Sequence, residues 1–295
     1  MRNYINYFLC IFASQLQKVM VMGEILKNIA ALGGIITEAG ITDASGLVLL
    51  LILLSTTGCK RRSSLDEKMD LADSLMMSKP DSALMVLEGI PASDVKGKER
   101  SARYALLKSM ALDKNYIDTT TFDVLQPAID YYVKHGSPDE QLRTYYYQGR
   151  IYQNQGNNDL AMQSFMWGKE FCQEASDTLT IANLMVAQAT IQYRIYKIDD
   201  FIENNLEAAN LYSAIGRTDY ELLSLVNALD GGILNNDKSL SDSVWTIAKQ
   251  RVSENPDLNS IIVPYELSYA LKFGNKADVI NILEYCESVD SISDM

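Results

Sequence analysis

Residues 142–173 read L-R-T-Y-Y-Y-Q-G-R-I-Y-Q-N-Q-G-N-N-D-L-A-M-Q-S-F-M-W-G-K-E-F-C-Q, from Leu142 to Gln173. Two faces of helical period lie in this stretch, Leu142, Tyr145, Gly149 and Tyr152 on the first and Ala161, Phe165, Gly168 and Cys172 on the second. A polar Gly-Asn-Asn turn at 156–158 separates them. Small residues (Gly149, Ala161, Gly168) fall where two helices must approach, and bulky ones fill the space between. The pattern predicts a helical hairpin.

The order aromatic, Gly, aromatic, turn Gly, Ala, aromatic at Tyr145, Gly149, Tyr152, Gly156, Ala161 and Phe165 resembles the tetratricopeptide repeat. The chain departs from that family's preferences at Gln148, Gly168 and Gln173. The resemblance implies an all-α solenoid of helical hairpins, wound into a right-handed superhelix with one groove. It also implies a protein or peptide ligand rather than a reaction.

Working outward, helix-period stripes follow one another in both directions. Upstream lie Leu65 to Met77, a second helix from about Pro80 stopped by Pro91, Lys98 to Lys114, and Thr121 to His135 with Pro127 near its start. The join from Lys134 to Glu140 is punctuated by cations, Gly136, Ser137 and Pro138, in the order that ends one helix and caps the next. Downstream lie Thr180 to Tyr196, Asp199 to Ile215, Thr218 to Ile233, Ser239 to Val252, Pro264 to Phe273 and Ala277 to Glu287. Aligning Tyr152, Phe165 and Gly168 with Tyr193, Leu206 and Ala209 gives a step of 41 residues. The family's usual step is about 34, so the repeats are expected to be irregular. Residues 65–295 read as about six hairpins in a solenoid that ends without a capping helix and so is expected to be cut short.

The N-terminus has a different character. Residues 1–46 show no sustained period and read as the product of a mis-assigned start, whereas Leu47 to Leu54 is an unbroken aliphatic run closed by Ser55-Thr56-Thr57-Gly58-Cys59. Eight aliphatic residues are too few for a membrane-spanning helix, which needs about 20. A short apolar run ended by small residues reads as a signal peptide. Its junction resembles a bacterial lipobox, although Thr56 stands where that motif prefers Leu and no basic residue directly precedes the run. The resemblance implies that residues 1–59 are a leader, that Cys59 becomes lipid-modified, and that residues 60–64 are a short basic tether.

The whole chain carries a formal charge of −12 from 26 basic and 38 acidic residues. Residues 1–59 hold three of each, so the remainder is acidic, with 23 against 35. A surface of that sign repels phosphate backbones, and nucleic acid is excluded as an expected partner. Four cysteines (Cys10, Cys59, Cys172, Cys286) have neither metal spacing nor a paired framework. His135 is the single histidine and sits where a cation suits a helix C-terminus. No phosphate loop and no GxSxG occurs, so no cofactor, metal or catalytic residue is expected.

One face points to a ligand. In tetratricopeptide hairpins the first helix lines the groove, which implies that Arg143, Tyr146, Arg150, Gln153 and Asn154 face it. Two guanidiniums flanking a phenol could hold an acidic peptide or carboxylate. The alternative for the same residues is a solvated face carrying ordinary inter-repeat salt bridges, and both readings stay open here.

The spellings Pro-Asp-Ser-Ala-Leu (80–84), Lys-Asn-Tyr-Ile-Asp (114–118) and Tyr-Tyr-Tyr-Gln-Gly-Arg-Ile-Tyr-Gln (145–153) resemble tetratricopeptide lipoproteins of Bacteroides-type bacteria. That resemblance implies a non-catalytic scaffold, lipid-anchored in the cell envelope, touching the membrane through its anchor only. A glycan-binding SusD-like lipoprotein and an outer-membrane assembly lipoprotein are the alternatives.

Overall fold

The structure, a computed structural model, describes residues 64–275, Ala277 and 279–282. The leader with Cys59, residues 60–63 of the tether, and the chain from 283 onward, including Cys286 and the end of the last expected helix, lie outside the described residues. Among the described residues every element is helical, as the stripes predict. The α-helices are α1 (Ser64–Leu75), α2 (Pro80–Glu88), α3 (Lys98–Lys114), α4 (Gln126–His135), α5 (Pro138–Asn154), α6 (Asn158–Lys169), α7 (Thr178–Arg194), α8 (Ile198–Ala214), α9 (Thr218–Leu234), α10 (Lys238–Glu254) and α11 (Asn259–Phe273). Five hairpins are complete and α11 opens a sixth. Each helix packs on the next, and first helices of successive hairpins also touch, α1 on α3, α3 on α5, α5 on α7 and α9 on α11. This pairing is that of an all-α repeat array, in which each hairpin buries its apolar face against its neighbours.

The repeat is more regular than the 41-residue step suggests. Helices α3, α5, α7 and α9 begin at Lys98, Pro138, Thr178 and Thr218, and each is 17 residues long. Helices α8 and α10 begin at Ile198 and Lys238 and are 17 residues long as well. Two such helices with two three-residue connectors make a unit of 40. While α1 to α3 is 34 and α9 to α11 is 41, so that the array as a whole keeps the irregular period expected of it, the 41-residue step is thereby corrected to 40 from α3 to α9. The physical reason lies in the core: Ala161 and Phe165 of α6 have Phe201 and Asn205 as their counterparts in α8, so the large and small side chains change places. Asn205 is fully buried where an aromatic stood; its Nδ2 donates to Phe201 O at 2.8 Å and its Oδ1 accepts from Asn227 Nδ2 at 3.2 Å. The aromatic returns one unit later as Trp245.

Two helix starts also differ from expectation. Helix α4 opens at Gln126 rather than Thr121, which places Pro127 in the first turn, where its missing N–H breaks no helical bond. Helix α11 opens at Asn259 and carries Pro264 inside it rather than at its start. The punctuation at 134–140 is as read: the Ser137 hydroxyl accepts from the Glu140 amide and the Glu140 carboxylate accepts from the Ser137 amide, a reciprocal cap with Pro138 following.

The first helix of each full unit ends in the same left-handed turn. Tyr116, Gly156, Tyr196 and Asn236, spaced by 40, have φ of 57°, 76°, 58° and 57°. The amides just after them, of Ile117, Asn157, Lys197 and Asp237, donate to Leu112, Tyr152, Gln192 and Gly232 O, closing the helix ends. A left-handed turn suits Gly and costs a tyrosine about 1–2 kcal/mol, because Cβ crowds the carbonyl. Tyr116 and Tyr196 are 94% and 87% exposed, so their rings offset none of that cost through burial. Tyr116→Gly and Tyr196→Gly are therefore each expected to stabilise the fold by about 1 kcal/mol after the entropy that Gly gives back to the unfolded chain. Thermal melts check this. A lowered midpoint would show that the rings are held by contacts.

Candidate functional site

The five residues expected along the groove all lie on α5, and the structure gives each a neighbour. Arg143 pairs through Nε with Asp177, the N-cap of α7; their side chains are 29% and 12% exposed. Burial works against the Arg143 charge, but Asp177 more than offsets it and raises the guanidinium pKa above its ordinary value. Arg150 Nε donates to Asp113 of α3 at 3.2 Å, and its Nη1 donates to Gln153 Oε1 at 2.9 Å. Gln153 Nε2 reaches Ala187 O of α7 at 3.3 Å, and Asn154 Nδ2 reaches Thr119 O in the α3–α4 connection at 3.1 Å. These contacts tie α5 to the hairpins before and after it. Arg143, Gln153 and Asn154 thus serve first as struts between repeats.

Tyr146 is 7% exposed, its ring set edge-on against Tyr147 at 4.9 Å and tilted on Phe165. Burial pushes its phenol pKa well above the ordinary value. Only its rim reaches a surface, and there it meets Arg150 at the wall of a cavity of about 310 Å³ formed by α5, α7, α8 and α9. Helix α7 contributes Asn183, Val186, Ala187 and Thr190; Tyr212 comes from α8; and α9 contributes Tyr220, Leu223, Ser224 and Asn227. The Tyr212 hydroxyl donates to Asn183 Oδ1 at 2.6 Å, Tyr212 stacks on Tyr220, and the Arg217 guanidinium lies 4.1 Å from the Tyr220 ring centre. Arg217 is itself paired with Asp219, its Nη2 2.9 Å from Oδ2. A wider cleft of about 620 Å³ lies beside α3 and α4, lined by Lys98, Asp123, Gln126 and Asp130 with mixed charge.

Reading α5 alone found Tyr146 and Arg150 but missed every residue that α7, α8 and α9 add. The 40-residue unit supplies the absent signal: adding 40 to Tyr146 and Arg150 gives Val186 and Thr190, and adding 40 to Asn183 and Ala187 gives Leu223 and Asn227, four further positions in the cavity wall. A 41-residue step rotates each projected face by about 100°, since a helix turns once in 3.6 residues.

His135 closes the last turn of α4 with its ring 5.2 Å from that of Tyr131. Cys172 is half-buried, and burial raises its thiol pKa. Among the described residues no group of three or more His, Cys, Asp and Glu is placed to hold a metal ion, and no helix is long and apolar enough to cross a membrane. No family model, curated protein or solved structure matches the chain.

Proposed function

We propose that this chain is a non-catalytic scaffold of the tetratricopeptide type, wound as a superhelix and lipid-anchored in a bacterial envelope, that holds an acidic protein or peptide along the face of its first helices. The observation that carries the reading is the construction of that face. Asp113, Arg150, Gln153 and Ala187 link α3, α5 and α7 by side-chain bonds, so the wall of the α5–α9 cavity is braced before any partner arrives. A pre-organised wall loses little entropy on binding. A cation-bearing wall in a chain of net charge −12 selects for acidic ligands by contrast with its surroundings. A glycan reading calls for an open aromatic face, whereas the Tyr146 ring is packed and Tyr220 is engaged by Tyr212 and Arg217.

The anchor rests on the apolar run ending at Cys59. Palmitate is expected to label the membrane fraction and Cys59→Ala to abolish the label; an unlabelled, soluble wild type would overturn the anchor. For the groove, Leu223 is a suitable probe, being 45% exposed and part of the cavity wall. Leu223→Glu should abolish capture of partners from envelope extract, and Leu223→Lys should preserve it, with both variants melting like wild type. Equal capture by the two would remove acidic recognition from this face, and retention of glycans rather than proteins would favour the SusD-like reading.

A further inference from the structure

Successive hairpins are joined differently at different steps of the array. Between α5 and α7, Gln153 Nε2 spans the joint directly to Ala187 O at 3.3 Å. Forty residues earlier the same two positions hold Asp113 on α3 and Tyr147 on α5, and the carboxylate of Asp113 sits on a stem one methylene shorter than that of Gln153. Asp113 meets α5 through Arg150, whose Nε donates to Oδ1 at 3.2 Å. Between the two helices a cavity of about 10 Å³ remains, walled by Ser109, Asp113 and Ile117 on one side and Tyr147 and Ile151 on the other.

Ser109 is 6% exposed, and its Oγ is wholly buried with no hydrogen-bond partner among the described residues. A buried hydroxyl on a helix has a ready alternative, since it can donate to the carbonyl one turn back. Thr144, Ser164 and Ser241, all fully buried, do so at 2.7, 2.9 and 2.7 Å. Ser109 does not, although a buried hydroxyl left unsatisfied costs more than an ordinary hydrogen bond contributes. Tyr147, 4% exposed, stands in the same wall; burial first and the Asp113 charge second push its phenol well above the ordinary range, so it keeps a proton to donate. The cavity thus brings together a hydroxyl that can donate or accept, a phenol donor and a carboxylate acceptor. About 10–15 Å³ of such space holds one water, which needs two to four polar partners, whereas apolar cavities stay dry.

We infer that this cavity is the binding site of a single internal water that bridges α3 to α5, accepting from the Tyr147 hydroxyl, donating to the Asp113 carboxylate and taking Ser109 as its third partner. The size of the cavity admits nothing larger. One unit later the polar set disappears together: Gly149, Gln153 and Ala187 stand where Ser109, Asp113 and Tyr147 stood, and the longer Gln153 makes directly the connection that the water makes here. The bridge therefore belongs to the α3–α5 joint, where it also completes the anchorage of the carboxylate that holds Arg150.

The test joins crystallography of the full chain to urea unfolding of its variants. An ordered water is expected within about 3.2 Å of Ser109 Oγ, Tyr147 Oη and an Asp113 oxygen. Ser109→Ala removes one of its partners and should lower the folded-to-unfolded ratio about fivefold, the scale of one hydrogen bond, whereas deleting a dry, unpartnered hydroxyl would raise it. Ser101→Ala, half-buried on the same helix, carries the helix-propensity gain without the cavity and is the reference for that comparison. Tyr147→Phe and Ser109→Ala should be less than additive, because both take partners from one water. A Ser109 hydroxyl found donating to Ala105 O with no water beside it, a Ser109→Ala variant that gains as much as Ser101→Ala, or strict additivity with Tyr147→Phe overturns the site.

Discussion

Replacing Phe165 with alanine is expected to lower stability by about 3–5 kcal/mol, the range for removing an aromatic side chain from a closed core. Phe165 is fully buried between the two helices of the third hairpin, and Gly149 lies against its face. A Cβ added at Gly149 would stand 2.3 Å, 2.6 Å and 2.7 Å from three atoms of the ring, too near for either to remain in place. Gly149→Ala therefore meets two opposing effects: a gain of about 1 kcal/mol from helix propensity and an overpacking cost of about 1–3 kcal/mol. Overpacking wins in wild type. In the Phe165→Ala background the ring is gone, the new methyl enters empty space, and the same Gly149→Ala change should become stabilising by about 1 kcal/mol. Urea unfolding of the four proteins in this cycle checks the reversal of sign. Two additive substitutions would mean that glycine and ring do not touch and that the helices of this hairpin pack elsewhere.

The second large effect belongs to Asp177, where one carboxylate does three things. Its Oδ1 caps α7 by accepting from the Thr180 amide at 3.1 Å, its Oδ2 accepts from the Thr180 hydroxyl at 2.6 Å, and the same oxygen pairs with Arg143 of α5. Its own amide donates to Asp139 Oδ1 at 2.9 Å, so the turn between α6 and α7 is sewn to the start of α5. Asp177→Ala loses a cap worth about 1 kcal/mol and leaves a half-buried guanidinium without its carboxylate, which after solvent screening costs a further 1–2 kcal/mol or so. A total of about 2–3 kcal/mol is expected. Asp177→Asn should lose about half as much, because asparagine caps helices well but cannot neutralise Arg143. Guanidinium unfolding, with hydrogen exchange on the first turn of α7, separates cap from charge. Asp177→Ala within about 0.5 kcal/mol of wild type would show that the strut carries no load.

Much of the fold is legible residue by residue, and the boundaries show why. Ser137, Pro138 and Glu140 announce the start of α5, and the Gly156-Asn157-Asn158 turn announces α6, because caps and left-handed turns are local chemistry that a few adjacent residues decide. Tyr116 and Tyr196 are the counterexample. They occupy the turn position that Gly156 fills, and nothing in a tyrosine signals a positive φ, so the 40-residue step is hidden wherever the turn residue is not glycine. The exchange of Ala161 and Phe165 for Phe201 and Asn205 conceals it a second time, since the ring moves to the other of the two buried positions.

The cavity wall was legible on α5 and nowhere else. Periodicity showed that Arg143, Tyr146, Arg150, Gln153 and Asn154 share a side of one helix. It could not say that Arg143 would be engaged by Asp177, 34 residues on, or that Tyr212 and Tyr220 would close a cavity over Tyr146. The sequence by itself determined that the chain is a run of amphipathic helices joined by short capped turns, because the 3.6-residue period and the cap chemistry depend only on near neighbours. Which arginines are struts and which side chains of α7, α8 and α9 wall a cavity beside Tyr146 were decided only by the tertiary structure, since charge pairing and cavity lining are properties of helices brought together from successive hairpins.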